Sequence, residues 1–496
     1  MERKQALEGV KSSLFKIWDF AAYEKSVLQK KSYIWLILAF AVLTRLYGLG
    51  SLGVSREELE NIDRIFSVSN LSTLYKEDLS TSLYYILQFL WGKLFGFSVI
   101  NMRAFSVLLS IVGLYFFFLF VREWFSKRSS YIATFLLSIS SFYILISRSI
   151  GPEALYLAII LPGLYFLTLA YRRKKISYFL LSGLFFGAMF YTATITFALV
   201  AVFGISIIYF YFKNKKFLTG FVREKLAVIL SAAIISAPFF VWLASYPQKF
   251  FSQFTLRPDI LLDNARTLVL SILYGAPDQF MYNVGFEKVF DPYIETTFLL
   301  GLGYVVLKFK RRKFYFLLSM FVLFVLIIIM QKNFFLGEMI YLVPMIFIFS
   351  AVIQSHLLKK WFATFPFNRV ARFTMALSLG FFLALSVTYN YREVFLAWAK
   401  SPNRRFSYNT DVSLADLKGS KVYVYEPGIS RVKVEAILKG GGENQLVYTD
   451  VISRAMDKSG CSILTSPNKV FNVESTLKDK NFQIISGANI SLLKGR

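Results

Sequence analysis

The 496-residue chain has one cysteine, Cys461, and one histidine, His356. A lone cysteine excludes an internal disulfide, and a lone histidine excludes a histidine-cluster metal site. Charge is scarce as well. Asp, Glu, Lys and Arg make up 17% of the residues, against about 25% in an average soluble domain. Acids are the rarer sign, 30 against 56 Lys and Arg, which leaves a formal net charge of +26. Low-complexity tracts and internal repeats are missing. The first 31 residues are polar and basic and lack the apolar core and cleavage site of a signal peptide. These absences exclude an ordinary soluble enzyme, a disordered regulator and a disulfide scaffold.

What the sequence has instead is apolar length. Hydrophobic residues are 56% of the chain, Phe occurs 54 times, and the mean hydropathy is +0.53. Apolar runs long enough to cross a bilayer recur along the chain. The Lys and Arg residues fall in short clusters between them, at 122–128, 172–175, 213–225, 308–313 and 359–372. Such spacing is a topology signal and not a nucleic-acid surface, so no nucleic-acid partner is expected. His356 sits at one of these basic edges, as an interfacial or loop residue.

Placing every cluster on the cytoplasmic side predicts about eleven transmembrane helices, near 33–50, 103–121, 131–148, 154–171, 177–191, 195–211, 226–246, 291–308, 314–330, 339–355 and 371–389. The N-terminus is then inside and the C-terminal tail outside the cytoplasmic (inner) membrane. Residues 1–32 form a cytoplasmic segment with an amphipathic piece around Trp18, and 33–390 form the membrane domain. The long apolar stretch 177–212 is divided by a tight hairpin at 192–194. Leu83 to Gly96 is apolar but short and carries Gln88 and Lys93, so it reads as a helix lying in the outer interface. Two long outer loops follow, 51–102 and 247–290, with a second interfacial helix near 260–276. Loops of that length are uncommon unless functional.

Beyond Asn403 the composition changes. KVYVYE, QLVYTD, CSILTS and FQIIS read as strands, and 431–438, 451–458 and 473–480 as helices between them. The alternation predicts a small extracytoplasmic α/β domain over 403–496.

Ionisable residues at a membrane edge are functional candidates. The densest group follows the first span: Arg45, then SLGVSREELENIDR, with Arg56, Glu57 and Glu58 at its centre. A helix capped by Ser55 accounts for two acids in a first turn, and that plainer reading stands beside the functional one. The second group is Arg148-Ser149-Ile150-Gly151-Pro152-Glu153, where a turn also needs Gly and Pro. The topology puts both groups on one membrane face, where they can meet in one cleft.

These motifs resemble the GT-C superfamily of membrane glycosyltransferases, which includes the protein O-mannosyltransferases and the lipid A aminoarabinose transferase. LTRLYGLG followed by SREEL is similar to the family's first outer loop. Leu83-Tyr84-Tyr85 through Lys93-Leu94-Phe95-Gly96 resembles its interfacial helix, and Arg103-Ala104-Phe105-Ser106 its opening of the second span. The turn from Ser147-Arg148 to Glu153 is similar to its second acidic site. GEMIYLVPM (337–345) resembles a late-span entry, with Glu338 where an Arg is common. The chain departs from the pattern in two places. Glu57 stands where the family has a catalytic Asp, and a His-Pro-Pro before the interfacial helix is missing.

The resemblance implies a glycosyltransferase that moves a sugar from a polyprenyl-phosphate donor to an acceptor protein, lipid or envelope glycan, on the outer face. It implies catalytic Glu57, with Glu58 and Glu153 as the other catalytic acids. The donor phosphate would meet Arg45, Arg56, Lys93, Arg103, Arg148, Arg257 and Arg266, and Tyr84 and Tyr85 would line the donor or acceptor pocket. A divalent cation, Mg or Mn, held by Glu57 and Glu153 is left open. Membrane lipid is a further expected partner. Two other classes remain: a non-catalytic binder of lipid-linked glycans, and a secondary transporter. The transporter is disfavoured because the spans are nearly charge-free while the acids gather at one face.

Overall fold

The computed structural model describes residues 32–50, 55–68, 79–192, 222–277, 279, 281–283 and 287–400, together with five short strands between 422 and 495. The described chain from 32 to 400 is helical. Its elements are α1 (Ser32–Leu46), α2 (Arg56–Ser67), α3 (Ser82–Phe95), α4 (Val99–Trp124), α5 (Lys127–Ile139), α6 (Ser141–Ser147) and α7 (Glu153–Arg173). There follow α8 (Ile176–Met189), α9 (Val222–Ser245), α10 (Pro258–Leu273), α11 (Pro292–Leu307), α12 (Arg312–Ile329), α13 (Val343–Thr364) and α14 (Arg369–Tyr391). The last continues into a π-helical turn, Arg392–Trp398.

Among the described residues, five helices are by themselves long and apolar enough to cross a membrane, and a bent pair, α5 with α6, makes a sixth. Helices occupy ten of the expected span segments. The remaining one, 195–211, lies outside the described residues, as do the segment around Trp18 and most of the basic cluster at 213–225. α8 ends at Met189, just before the expected hairpin. His356 lies within α13, its Nδ1 3.3 Å from the Tyr304 hydroxyl, and not in a loop.

Two expected spans differ in form. Residues 131–148 are not one rod. The helix breaks at Ser140 and α6 leaves α5 at 63°. No Pro or Gly marks the break in LLSISSF, because the cause is a partner on another helix. α1 stops at Leu46 and not near residue 50, and Gly48 turns the chain with φ 63°, a conformation that suits glycine.

The helices pack in two ways. Midway along α8, Gly183 and Gly187 let it lie against α9. A Cβ at Gly183 would stand 2.5 Å from the Val228 carbonyl, and one at Gly187 2.5 Å from that of Ala232. This small-xxx-small spacing brings backbones close where no water is available to drive burial. α4, α7 and α13 carry the largest continuous core, in which Phe117, Tyr143, Phe347 and Phe349 are fully buried.

The five strands form one sheet: β1 (Val422–Val424), β2 (Leu446–Tyr448), β3 (Ser462–Thr465), β4 (Phe482–Ser486) and β5 (Ser491–Gly495), in the order β2-β1-β3-β5-β4. β1 runs parallel to both β2 and β3, and β5 is antiparallel to β3 and β4. Parallel neighbours need crossover connections, as an α/β unit has. The helices expected between the strands lie outside the described residues. β5 was not foreseen, because SLLKG has no period-2 alternation to mark it.

Candidate functional site

The site grows from the start of α2. Ser55 adopts an extended backbone and its hydroxyl accepts from Glu58 N–H at 3.1 Å. The Glu58 carboxylate in turn accepts from Ser55 N–H at 3.2 Å. This reciprocal capping box fixes where the helix begins. It also points Glu58 inward, where it is fully buried. Arg103, in the second turn of α4, donates through Nε to Glu58 Oε1 at 3.0 Å and through Nη2 to Oε2 at 2.6 Å. Its third donor goes to the Leu49 carbonyl at 3.1 Å. A buried ion pair of this bidentate form is stable only when its remaining positions are also bonded, as they are here.

Glu58 then reaches the second acidic motif. Its Oε1 accepts from Ile150 N–H at 3.0 Å, and Asn61 Nδ2 donates to the Ile150 carbonyl at 2.8 Å. One helix face thus brackets both polar groups of a residue about ninety positions away. The two acidic motifs meet at one end of the bundle.

Tyr85, on α3, donates to Asn61 Oδ1 at 2.8 Å, and the Arg64 guanidinium lies across its ring at 6.0 Å. Tyr84 shares a hydrogen bond with Ser106 at 3.1 Å. Burial pushes the Tyr85 hydroxyl up to about 12 and raises that of Tyr84 as well, so both remain protonated donors at neutral pH.

Glu153 opens α7 and is only 6% exposed. An acid in a helix's first turn is favoured by the exposed N–H groups there. Its carboxylate folds back over Gly151, where any Cβ would collide with Oε2. Tyr282 packs at the same place, its ring Cζ 3.1 Å from where a Cβ at Gly337 would stand. Across the carboxylate lies a 3-10 turn, Leu336–Tyr341, and a Cβ at Gly337 would stand 3.2 Å from Glu153 Cγ. That turn brings Glu338 near enough for its charge to act on Tyr156 and Tyr341. Tyr156 and Tyr341 stack at 5.0 Å and Tyr341 stacks on Phe324 at 5.6 Å. This aromatic ladder leads from the carboxylates into an apolar groove lined by Phe120, Leu157, Leu161, Phe316, Phe324 and Tyr341.

The expected phosphate-binding cations divide into two sets. Arg45, Arg103 and Arg148 are buried and bonded within the protein. Arg148 donates to the carbonyls of Thr44, Tyr47 and Gly48 at 3.2, 2.7 and 3.3 Å, satisfying the orphan carbonyls at the end of α1. Arg45 donates to the Ala41 and Ser138 carbonyls and lies 5.1 Å from the Tyr143 ring centre. Lys93, Arg257 and Arg266 are exposed, Lys93 over the Phe89 ring and the other two on or beside α10. The side chain of Arg56 lies outside the described residues. Among the three acids, Glu57 is exposed, Glu58 is consumed by Arg103, Ser55 and Ile150, and Glu153 is buried one turn of α7 before Leu157 of the groove.

The structure adds Asn61, Tyr156, Tyr282, Glu338 and Tyr341 to this neighbourhood. Of these only Glu338 left a sequence signal, as an acid where the resembled family has an Arg. Among the described residues no three His, Cys, Asp or Glu side chains gather into a metal-holding group. Glu57 is exposed and Glu153 is buried beside Gly151 and Gly337, so a magnesium ion held by either would need substrate phosphate oxygens to complete its shell.

Residues 82–242 match the sequence profile of the dolichyl-phosphate-mannose-protein mannosyltransferase family. No curated protein matches the sequence significantly. Among solved structures, ArnT from Cupriavidus metallidurans bound to undecaprenyl phosphate is similar over 94% of this chain and 98% of its own, with TM-score 0.55 and 11% identity. Its apo state is similar over 93% and 98%, with TM-score 0.53 and 11% identity. The apo oligosaccharyltransferase of Archaeoglobus fulgidus aligns over 85% of this chain and 65% of its own at 14% identity. Its TM-score of 0.44 is too loose to carry an argument. The likeness to ArnT is one of fold, over nearly the whole length of both chains.

Proposed function

We propose that this multi-pass membrane chain, which has the fold of the GT-C glycosyltransferases, moves a sugar from a polyprenyl-phosphate donor to an acceptor hydroxyl on the outer face of the cytoplasmic membrane. The observation that carries the reading is the junction of the two acidic motifs, with Glu153 one turn of α7 before Leu157, where an apolar groove begins. A lipid-linked sugar needs both: a dry channel for the isoprenoid and a polar site for the head. ArnT, the fold relative, was crystallised with undecaprenyl phosphate, and the family that matches 82–242 uses dolichyl-phosphate-mannose.

In this reading the donor's isoprenoid lies along the groove, beside the Tyr156, Tyr341 and Phe324 rings. The acceptor hydroxyl loses its proton as it attacks the anomeric carbon, so a carboxylate must stand within hydrogen-bond reach. Glu57 is the general base. It is exposed to an incoming acceptor, while Glu58, one residue on, anchors the helix that presents it. Glu153 and Tyr282 orient the sugar or acceptor. The departing phosphate takes negative charge and is met by exposed cations, Arg64 beside Tyr85 together with Lys93, Arg257 and Arg266. Arg45, Arg103 and Arg148 act one step removed, by fixing the backbone around the site. A divalent cation between Glu57, Glu153 and the phosphate would add charge stabilisation. Direct attack inverts the anomeric centre.

The test is transfer, or slow hydrolysis, by purified protein in nanodiscs given a panel of radiolabelled polyprenyl-phosphate monosaccharides and membrane extract. Glu57→Gln should lower turnover at least 100-fold with lipid binding retained, and Glu153→Gln at least 10-fold. A native protein that binds every donor and releases no sugar would support the non-catalytic binder instead. Loss of lipid binding altogether would return the transporter.

A further inference from the structure

α6 delivers Arg148 and the Glu153 turn, yet it is severed from α5 at Ser140. A break inside a membrane helix leaves backbone N–H groups that need new partners. The Ser141 N–H donates to the side-chain oxygen of Asn390, on α14, at 2.8 Å. Asn390 Nδ2 donates onward to Asp291 Oδ2 at 2.7 Å, and the Ser386 hydroxyl donates to the same oxygen at 2.7 Å. The other Asp291 oxygen caps α11 by accepting from Tyr293 and Ile294 N–H at 3.0 Å. Asn390, Ser386 and Asp291 are all buried.

Just after Asn390 the last described helix widens into the π-helical turn Arg392–Trp398, a rare form found frequently at functional sites. Glu393 is buried within it. Val394 and Trp398 form a separate small core with Ile144 and Leu145 of α6. Phe395 lies under the Arg148 guanidinium at 5.3 Å and edge-on to Tyr47 at 5.7 Å. The end of the last helix thus holds α6 at its start, along its side and at its end.

We propose that Asn390 and Phe395 are positioning residues for the Glu153 turn, so that the last membrane helix sets the geometry of a site to which it contributes no reacting group. The idea rests on the transferase reading for its catalytic consequence, but its structural half stands alone. The turn is gripped from three sides: by α1 through Arg148, by α2 through Glu58 and Asn61, and by the π-turn through Phe395. Only the last grip comes from the segment that leads directly to the C-terminal strands. A displacement of about 1 Å at a reacting group can lower a rate about 100-fold.

The experiment pairs Asn390→Leu and Phe395→Leu with Phe395→Tyr as the conservative variant. Phe382→Leu serves as a control on the same helix, where Phe382 stacks on Tyr293 at 5.9 Å. Two readouts are taken in nanodiscs: sugar-transfer kinetics, and hydrogen–deuterium exchange of residues 141–153. Asn390→Leu and Phe395→Leu should lower kcat at least 10-fold with donor KM within 2-fold, raise exchange over 141–153, and lower Tm no more than Phe382→Leu does. Phe395→Tyr should keep native kcat and exchange. Unchanged exchange over 141–153 would overturn the proposal, as would a kcat loss no larger than that of Phe382→Leu at matched Tm. If the native protein transfers no sugar, the transferase reading fails, while the exchange result still decides whether the last helix positions the turn.

Discussion

The α8–α9 seam and the site end of the bundle solve the same problem in opposite ways. At the seam, Gly183 and Gly187 remove side chains so that two backbones can touch, and the fit is one of shape. At the site end, Arg103 and Arg148 insert long side chains whose donors end on Glu58 and on the carbonyls of Leu49, Thr44, Tyr47 and Gly48. Shape fits tolerate small sliding, whereas a set of directed bonds to named oxygens does not. A site that must hold two acidic motifs in register needs the second kind of junction.

The comparison can be broken most forcefully at Arg103. Arg103→Met leaves the Glu58 carboxylate buried and without its cation, a loss of about 3–5 kcal/mol for a buried pair. Thermal unfolding in nanodiscs should show it, and transfer should fall with it. The double variant Glu58→Gln with Arg103→Met should recover much of the stability, because it removes the stranded charge. A double variant no more stable than the single would mean that the pair is not the anchor. Gly183→Val tests the other side. Its added atoms meet the Val228 carbonyl, and overpacking of this kind costs about 1–3 kcal/mol. Here Tm should fall while turnover per folded molecule stays within 2-fold of native. A selective loss of turnover would show that the seam is coupled to the site after all. The smallest effect is expected at Ser55→Ala, about 1 kcal/mol for a lost cap. Glu58 keeps Arg103 and Ile150 in that variant, so Tm should shift modestly and donor KM should not change.

Much of this was legible along the chain. The apolar segments between basic clusters became helices, and SREEL became a capped helix start with Glu58 at its third position. The Leu83 to Gly96 segment became a helix with Tyr84, Tyr85 and Gln88 on its buried face. Four of the five strands stand where β-branched runs indicated. The break at Ser140 was not legible, since hydropathy is continuous across LLSISSF and the residue that receives Ser141 N–H is 249 positions away. The π-turn left no mark either, because helix widening depends on what Glu393 and Phe395 find opposite them.

The roles of the arginines divide most cleanly. The sequence by itself determined that Arg45, Arg103 and Arg148 lie near one end of the bundle, since each is placed by its distance from an apolar run. It also determined the helical class, the two acidic motifs and the capped start of α2, because those depend on neighbours within a few residues. Only the tertiary structure decided what each guanidinium does. Arg45 reaches one carbonyl four positions away and another 93 away, and the partners of Arg148 lie 100 to 104 away. A guanidinium has five donors and no acceptor, and in a dry interior it goes to whichever oxygens the packing presents. Glu58 and Glu57 follow the same rule. They are neighbours in sequence, about 100° apart around a helix, and the fold buries one as an anchor and leaves the other facing outward.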